Sequence, residues 1–389
     1  MTKEMDVAVL GGGPAGLAAA LALRQRGCSV ALYDAQYPPI EKACGEGLMP
    51  ESVRILEDLG VPLAGEDKAA FAGISFHDRS SAADGAFSNG CGLGIRRTRL
   101  HSRMAKRAAQ TGIALHWGVG VRVLPGGGFA ADGTPICADF FVIADGLCST
   151  LAGAAGFLEQ RCSSTRYASR QHFCCALSAA WRDRVEVHWG DREQLYVTPI
   201  SKNEVSVALL TGARGRRLQD ALPDFPAVAR RLSGASCTSL ARGAVTKTRA
   251  LRQVLRGNIA VLGDASGSVD AITGEGLLSA FRQAIALADA LAAGKPARYV
   301  LAHRRIARNP HRMARLLLLL DRHPQLRIRF IAELAAQPER FAVLLRVHLG
   351  EESWLKAASS LGGQIAIGRR AHSWPALFAV SGQHRERGL

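Results

Sequence analysis

The pattern of apolar positions near the start of the chain predicts a strand, a helix and a second strand. The run Asp6–Leu10 is short and almost wholly apolar, as in a buried strand. A glycine-rich loop follows, and the small and apolar residues of Leu17–Gln25 favour a helix that ends at Gly27. Because Ser29–Tyr33 is again strand-like, we predict a βαβ unit with parallel strands.

Later parts of the chain predict two further regions. Residues 163–251 contain alternating apolar and polar positions that are typical of a sheet, and we expect this sheet to carry a substrate domain. After Pro296 the pattern is helical, with interruptions expected at Pro310, Pro324 and Pro338. Further strands are predicted in 113–135, 139–144, 185–189, 195–198, 204–210 and 258–262, and further helices at 50–59, 98–111 and 280–293.

Composition indicates an intracellular globular protein. The chain has 389 residues, of which 48% are hydrophobic, which is enough for two domains with buried cores. The apolar runs are too short to cross a membrane, and the nine cysteines include no C-x-x-C pair or other metal-ligand spacing. We therefore expect a cytoplasmic protein with reduced thiols, no metal site and no secretory signal.

The strongest chemical signal is Gly11-Gly12-Gly13-Pro14-Ala15-Gly16, which lies between the first strand and the first helix. Gly11 permits a tight turn, Gly13 lets the backbone approach a pyrophosphate, and Gly16 lets the helix pack on the sheet. The helix N-terminus, with Pro14 and Ala15, offers N–H groups and partial positive charge to phosphates. Asp34 ends the second strand, where a carboxylate accepts the hydroxyls of a ribose.

Two later stretches distinguish FAD from NAD, and the second of them has two parts. Asp145-Gly146 follows one predicted strand, and Gly263-Asp264 follows another, so that the Asp264 carboxylate is placed to bind a ribityl hydroxyl. Thr273-Gly274-Glu275-Gly276 then opens a long helix whose N-terminus is suited to the pyrimidine end of a flavin. Because NAD requires neither stretch, their order along the chain predicts FAD.

These motifs resemble the FAD-dependent family that unites para-hydroxybenzoate hydroxylase-like aromatic monooxygenases, flavin halogenases and geranylgeranyl reductase-like proteins. The resemblance runs from about Val7 to Leu291. It implies that Cys44-Gly45-Glu46 lies beside the flavin ring, with Cys44 and Glu46 as candidate catalytic groups. It also implies that Arg97, in Arg96-Arg97-Thr98-Arg99-Leu100, contacts FAD. From the residues alone, Arg97 could equally be a solvated charge and Cys44 a small buried residue.

The predicted fold class is α/β. We expect a Rossmann-like three-layer FAD-binding domain with an inserted α+β substrate domain over a β-sheet and a C-terminal helical part. The FAD-binding domain is predicted to comprise 1–75, 94–160 and 252–295, the substrate domain 76–93 and 161–251, and the C-terminal helical region 296–389.

The motifs favour an NAD(P)H-dependent monooxygenase of an aromatic, polyketide or other lipophilic substrate. No second G-x-G-x-x-G follows a strand, so NAD(P)H is expected to bind transiently near the flavin. The halogenase string Trp-x-Trp-x-Ile-Pro is absent, and Tyr196-Val-Thr-Pro199 matches the reductase string Tyr-x-Trp-x-Phe-Pro only in part. Two alternatives remain open, an isoprenoid double-bond reductase and a non-catalytic flavin-binding module.

The net charge of +16 is concentrated at the C-terminal end. From Lys295 onward the sequence has 17 basic and 6 acidic residues, which leaves a net charge of +11. Such a region suits a peripheral contact with an anionic membrane or with an acidic carrier protein, while the absence of interleaved aromatic residues argues against nucleic acid. The alternative is a solvated surface without a partner.

Overall fold

The computed structural model of the protein describes residues 6–175, 181 and 183–357. The strands are β1 Asp6–Leu10, β2 Ser29–Asp34, β3 Gly47–Leu48, β4 Lys68–Phe71, β5 Gly73–His77, β6 Ala82–Ala86, β7 Gly92–Ile95, β8 Ala114–Trp117, β9 Val121–Val123, β10 Phe129–Ala131, β11 Thr134–Pro135, β12 Phe140–Ile143, β13 Glu159–Cys174, β14 Arg184–Trp189, β15 Glu193–Ser201, β16 Glu204–Thr211, β17 Ser236–Cys237, β18 Arg242–Leu251, β19 Leu255–Arg256, β20 Ile259–Val261 and β21 Gly267–Ser268. The α-helices are α1 Pro14–Gln25, α2 Pro50–Asp58, α3 Arg97–Gln110, α4 Thr150–Ala154, α5 Leu218–Ala221, α6 Pro226–Arg231, α7 Gly276–Ala292, α8 Ala297–Arg322, α9 Pro324–Ala336 and α10 Pro338–His348.

The first sheet has six strands in the order β19-β20-β12-β1-β2-β8. The five strands from β20 to β8 are parallel, and β19 runs antiparallel at the edge. The order places β1 between β12 and β2, so the chain reverses its direction of winding at β1. In such sheets, ligands bind at the carboxyl ends of the strands at this reversal.

The sheet is the middle of three layers. Helix α1 packs between α3 and α7 on one side, and the small sheet β9–β11 covers the other side through Phe129, whose ring lies 4.8 Å from that of Phe141. Helix α1 is buried almost all round, which explains its Ala- and Leu-rich sequence. The predicted three-layer α/β fold is therefore confirmed.

The second sheet has nine strands, β21-β18-β13-β16-β15-β14-β5-β6 with β17 paired to β13. Strand β5 pairs in parallel with β14, so a segment from early in the chain joins strands that follow much later. Helices α5 and α6 pack on one face of this sheet against Trp181, Val207 and Leu209. The opposite face contacts the C-terminal helices and the segment around Glu46.

The C-terminal helices cover the nine-stranded sheet. Phe341 of α10 packs on Phe76 of β5 with ring centroids 4.8 Å apart. One expectation was wrong, because α8 passes through Pro310 without ending. Proline removes one backbone hydrogen bond and costs about 3 kcal/mol, but the burial of apolar side chains on both sides of Pro310 offsets this cost. Residues 358–389 of the predicted helical region lie outside the described residues.

No helix among the described residues is both long enough and apolar enough to span a membrane.

Candidate functional site

The glycine loop after β1 is shaped by contacts that exclude side chains. Gly11 has φ of 118°, and a Cβ there would lie 2.5 Å from the Ala144 carbonyl carbon. A Cβ on Gly16 would lie 1.8 Å from the Gly11 carbonyl oxygen, so any larger residue would push α1 away from the loop. Gly13 has open space at its Cβ position, as expected for backbone that a pyrophosphate approaches.

Helix α1 begins directly at this loop. Pro14 occupies its first turn, where its missing N–H costs no hydrogen bond, and the turn contains no acidic side chain. Ala15 lies against the third motif, because a Cβ on Gly263 would be 2.8 Å from the Ala15 Cβ. The N-terminus therefore keeps free N–H groups next to Gly13 and Gly263.

Asp34 is held at the end of β2. Its Oδ2 accepts a 2.6 Å hydrogen bond from the Gly12 amide, and its Oδ1 accepts a 2.8 Å bond from the Gln36 amide. Each carboxylate oxygen retains a lone pair for a further donor. This geometry suits the role predicted for Asp34, binding of the adenosine ribose.

His101 is a contributor that sequence reasoning missed. Its Nδ1 accepts from the Ile40 amide at 3.4 Å, so its Nε2 carries the proton and donates to the Gly12 carbonyl at 2.8 Å. Burial lowers the pKa of His101, which keeps the ring neutral. The ring thus joins α3 and the segment after β2 to the glycine loop.

The middle motif lies against the first. Asp145 follows β12, and its backbone nitrogen would be 2.7 Å from a Cβ on Gly11. Partial loss of hydration raises the pKa of Asp145, and its Oδ2 accepts a hydrogen bond from the Leu151 amide at 3.4 Å. Gly146 has φ of 89° and open space at its Cβ position, so bare backbone faces outward here.

The third motif follows β20. Gly263 has φ of 63°, and its amide donates to Gln283 of α7 at 2.7 Å. The Asp264 carboxylate forms a 3.0 Å ion pair with Lys42. The Arg249 guanidinium donates to the Asp264 carbonyl at 3.0 Å. Lys42 and Arg249 carry no recognisable motif, and sequence reasoning missed both.

The remaining part of the third motif precedes α7. Thr273 is buried and Gly274 adopts φ of 69°, which directs the chain into the helix that starts at Gly276. A Cβ on Gly276 would meet no heavy atom within 4 Å. Helix α7 therefore begins with exposed backbone N–H groups, as the predicted contact with a flavin requires.

Glu275 and His348 form a buried pair behind this motif. The Glu275 Oε2 lies 3.5 Å from the His348 Nδ1 of α10, and none of these polar atoms has a hydrogen bond within the described residues. Burial raises the pKa of Glu275 to about 8 and lowers that of His348 to about 4. Both groups are therefore neutral near pH 7. Sequence reasoning assigned no role to either side chain.

Glu46 is the centre of a second buried cluster. It is 3% exposed, its Oε2 lies 2.6 Å from the His172 Nε2, and its Oε1 accepts from the Arg97 amide at 2.8 Å. Burial alone would raise the pKa of Glu46, but the hydrogen bond and charge of His172, together with Arg170 at 3.8 Å, hold it below its usual value. Glu46 is thus an ionised anchor between the segment before β3, the sheet strand β13 and α3.

Cys44 and Gly45, which precede Glu46 in the chain, are more exposed to solvent than Glu46. Cys44 is half-buried, and its Sγ accepts from the Glu46 amide at 3.4 Å. Gly45 has open space at its Cβ position. The Arg97 Nε is buried and has no hydrogen-bond partner among the described residues, so its guanidinium is free to bind an external acceptor.

The side chains of a third cluster are spaced like the ligands of a metal ion, but an arginine guanidinium binds the carboxylate of this cluster. The ligand atoms of His77, Glu186 and His188 lie within 4.8 Å of one another. The Glu186 carboxylate also accepts from the Arg231 guanidinium at 2.8 Å and from the Trp181 indole at 2.9 Å. A cation would have to displace Arg231, so this cluster is an internal ion-pair network of the nine-stranded sheet.

The structure thus brings together stretches that are far apart in the sequence. The glycine loop touches both Asp145 and Gly263, Lys42 joins the Cys44 segment to Asp264, and Glu46 joins it to Arg97. Two features fit a dinucleotide that has both a phosphate end and a flavin end. One is the open backbone at Gly13, Gly45, Gly146 and Gly276, and the other is the Arg97 Nε, which has no partner among the described residues.

Comparison with known proteins agrees with this geometry. Residues 4–295 match the family model described as "FAD binding domain". The chain belongs to this family of FAD-dependent oxidoreductases. Its cofactor is FAD, and it is an enzyme.

Two kinds of relatives are similar to this chain. Menaquinone reductase of Mycolicibacterium smegmatis is 27% identical over 302 residues, which cover 71% of this chain and 74% of that protein. Among solved structures, a triple mutant of the flavin-dependent brominase Bmp2 has a TM-score of 0.78 at 17% identity and covers 94% of this chain and all of that one. The tetrameric form of 2-methyl-3-hydroxypyridine-5-carboxylic acid oxygenase has a TM-score of 0.70 at 22% identity, covering 82% and 93%. The two structural similarities establish the fold alone.

Proposed function

We propose that the protein is an NAD(P)H-dependent FAD monooxygenase that hydroxylates a lipophilic substrate, such as an aromatic polyketide or a phenolic lipid. The observation that carries this choice is the state of Glu46. A double-bond reductase needs a proton donor beside the flavin, and sequence resemblance offered only Cys44 and Glu46 for that place. Because His172, Arg170 and the Arg97 amide keep Glu46 ionised, it is unable to donate a proton near neutral pH, which leaves the reductase reaction with Cys44 alone of these two donors.

The apolar surroundings of the third motif support a lipophilic substrate. Ile272, next to Thr273, packs in one cluster with Met49, Leu210 and Trp189. The Tyr196 hydroxyl donates to the Ile272 carbonyl at 3.0 Å and so ties the sheet to this loop. An apolar region between the FAD motifs and the sheet favours apolar ligands and excludes water.

The protein's own residues bind and orient in this mechanism. The chemistry that bound FAD would supply is acceptance of reducing equivalents from NAD(P)H and activation of oxygen. The N-termini of α1 and α7 would provide N–H groups and partial positive charge, and Asp34 and Asp264 would accept hydrogen bonds from hydroxyl groups. The Glu46–His172 bond fixes the segment that carries Cys44 against β13. NAD(P)H would dock transiently, because the sequence has no second nucleotide-binding glycine motif.

A second candidate is the reduction of an isoprenoid double bond. It is favoured by the similarity to the protein named menaquinone reductase and by Cys44-Gly45-Glu46, which resembles the reductase-like members of the family. In this reaction Cys44 would be the proton donor, since its half-buried thiol has only one long hydrogen bond.

Labelled oxygen separates the two reactions. The FAD-loaded protein is incubated with NADPH or NADH, an alkylresorcinol and ¹⁸O₂, and the product is analysed by mass spectrometry. A parallel anaerobic reaction contains menaquinone in place of the alkylresorcinol. We expect one labelled oxygen atom in the phenolic product and no anaerobic double-bond reduction.

Cys44→Ala provides a second test. This variant should retain oxygen-dependent turnover but consume several-fold more NAD(P)H for each molecule of product formed. The reason is that the substitution alters the flavin environment without removing a catalytic acid. Cys137→Ala, at an exposed position, is the matched control. The reductase proposal would replace the monooxygenase proposal if two results were obtained together. Wild type would reduce a side-chain double bond of menaquinone without oxygen while Cys44→Ala would not, and no product would contain labelled oxygen.

A further inference from the structure

Helix α8 presents an unusual row of arginines. Seven of its 26 residues are Arg and only one is acidic. Arg298, Arg305, Arg308, Arg312, Arg315 and Arg322 are separated by three, four or seven positions and therefore lie on one face of the helix. We call these six residues the arginine row. With a rise of 1.5 Å per residue, the row extends over about 36 Å.

The arginine row has no acidic partner within the described residues. None of its six side chains takes part in an ion pair or a hydrogen bond there, and all are exposed except Arg312, which is half-buried. The one acidic residue of α8, Asp321, faces inward and interacts with Gln194 and Arg166. Burial together with the charges of Arg308 and Arg315 lowers the pKa of Arg312. Mutual repulsion of this kind is relieved when an external polyanion binds.

An apolar groove opens beside the row. It has a volume of about 120 Å³. Its apolar lining comes from Ala250, Val269, Ala314 and Leu318, and its polar lining from Thr248, Arg249, His311 and Arg315. The groove is smaller than the roughly 300 Å³ or more of a typical small-molecule pocket, so it would admit only a short length of chain. Leu301, which lies in line with the row, is also 56% exposed.

We propose that the arginine row and this groove form a docking surface for an anionic lipid bilayer. A bilayer offers negative head groups over a long, flat area, which matches the extent of about 36 Å of the arginine row along α8. It also offers apolar chains to Leu301 and to the groove, as for amphipathic helices that lie in a membrane interface.

Charge and chemistry argue against the other occupants. Residues 358–389 contain four arginines and one acidic residue, so they would be repelled by the row. A second copy of the chain carries the same net charge of +16. The apolar lining of the groove beside the row gives a nucleic acid no complementary surface for reading its bases.

Vesicle co-sedimentation tests this surface with the FAD-loaded full-length protein. The vesicles contain phosphatidylcholine alone or mixed with phosphatidylglycerol, at low and at high salt. We expect binding only to the mixed vesicles and a strong decrease at high salt. Arg305→Glu, Arg308→Glu, Arg312→Glu and Arg315→Glu combined should lower the partition coefficient at least tenfold.

The matched control reverses four exposed arginines elsewhere, Arg54→Glu, Arg122→Glu, Arg214→Glu and Arg230→Glu, which changes the net charge equally. It should bind the mixed vesicles within about threefold of wild type, since docking depends on position rather than on net charge. FAD content and the thermal midpoint confirm that each variant is folded. An equal loss of vesicle binding in both variants would overturn the proposal. So would wild-type protein that binds a purified acyl carrier protein or a DNA duplex but does not bind the vesicles.

Discussion

At the scale of single residues, Asp264 provides the sharpest test of the FAD site. Asp264→Ala should lose its predicted hydrogen bond to FAD, which is worth about 1.5–3 kcal/mol for a charged acceptor. Kd for FAD should therefore rise by roughly ten- to a hundred-fold, and fluorescence titration of the apoprotein measures it. Asp289→Ala removes an exposed aspartate of α7 that pairs with Arg26, the residue after α1, and should leave Kd unchanged. An unaltered Kd in Asp264→Ala would remove this residue from the site.

The residues that sequence reasoning identified are those whose signal is local. Gly11, Gly13, Gly16 and Asp34 lie within one βαβ unit, so their spacing alone suggests their chemistry. The partners of Glu46 and Glu275 could not be found in this way. His172 is 126 positions from Glu46, and His348 lies on a helix beyond the matched family region. Only the fold brings such pairs together.

At the scale of elements, the contact between β6 and α10 depends on a glycine. A Cβ on Gly85 would lie 2.7 Å from the Leu345 side chain and 2.8 Å from the Phe341 ring. Gly85→Ala should therefore separate α10 from the sheet and destabilise the protein by about 1–3 kcal/mol.

Gly153→Ala is the control for this change. Gly153 lies inside α4, has an ordinary φ and has no atom within 4 Å of its Cβ position, so alanine should stabilise the protein by about 0.5–1 kcal/mol. Urea unfolding curves of the FAD-loaded proteins measure both effects. The reading of the β6–α10 contact would be wrong if the two variants were equally stable.

Element prediction succeeded where one physical rule dominated. The parallel strands and α1 follow from continuous apolar runs with glycines at their ends. Pro310 was misjudged because helix propensity and tertiary packing oppose each other there, and a sequence does not reveal how much surface its neighbours bury. A separate three-stranded sheet, in the order β3-β7-β4, lies at the Glu46 segment. Its strands are short and have no distinctive periodicity, so the sequence contained no signal for it.

At the scale of the whole molecule, the Glu275–His348 pair links the FAD motif to the C-terminal helices and should make stability depend on pH. In the unfolded chain Glu275 ionises near pH 4.5, but in the folded protein only near pH 8. The folded state therefore binds the extra proton between these values, and the contribution of Glu275 to stability falls as pH rises. His348, whose pKa falls from 6.5 to about 4, has the opposite slope below pH 6.5, so the net decrease appears between about pH 6.5 and 8.

Glu275→Gln removes the titrating group but retains its shape. The free energy of unfolding of wild type minus that of the variant should decrease with rising pH between 6.5 and 8, by at most about 1.4 kcal/mol per pH unit. The neighbouring charges, Arg282 of α7 and Glu51 of α2, are unchanged in this comparison. Glu57→Gln, at an exposed position of α2, is the control. A difference that does not vary with pH would mean that Glu275 is already ionised in the folded protein.

The order of strands in the six-stranded sheet has a consequence for biosynthesis. β1 leaves the ribosome before β12 and β20, which complete the sheet on one side of it and follow much later in the chain. At roughly 5–20 residues per second, this delay is on the order of tens of seconds. During it, the apolar edge of β1 lacks its neighbour, and the glycine loop lacks its contacts with Asp145 and Gly263. The nascent chain therefore keeps apolar surface exposed until these strands arrive, and FAD is able to stabilise the protein only after synthesis has passed β20.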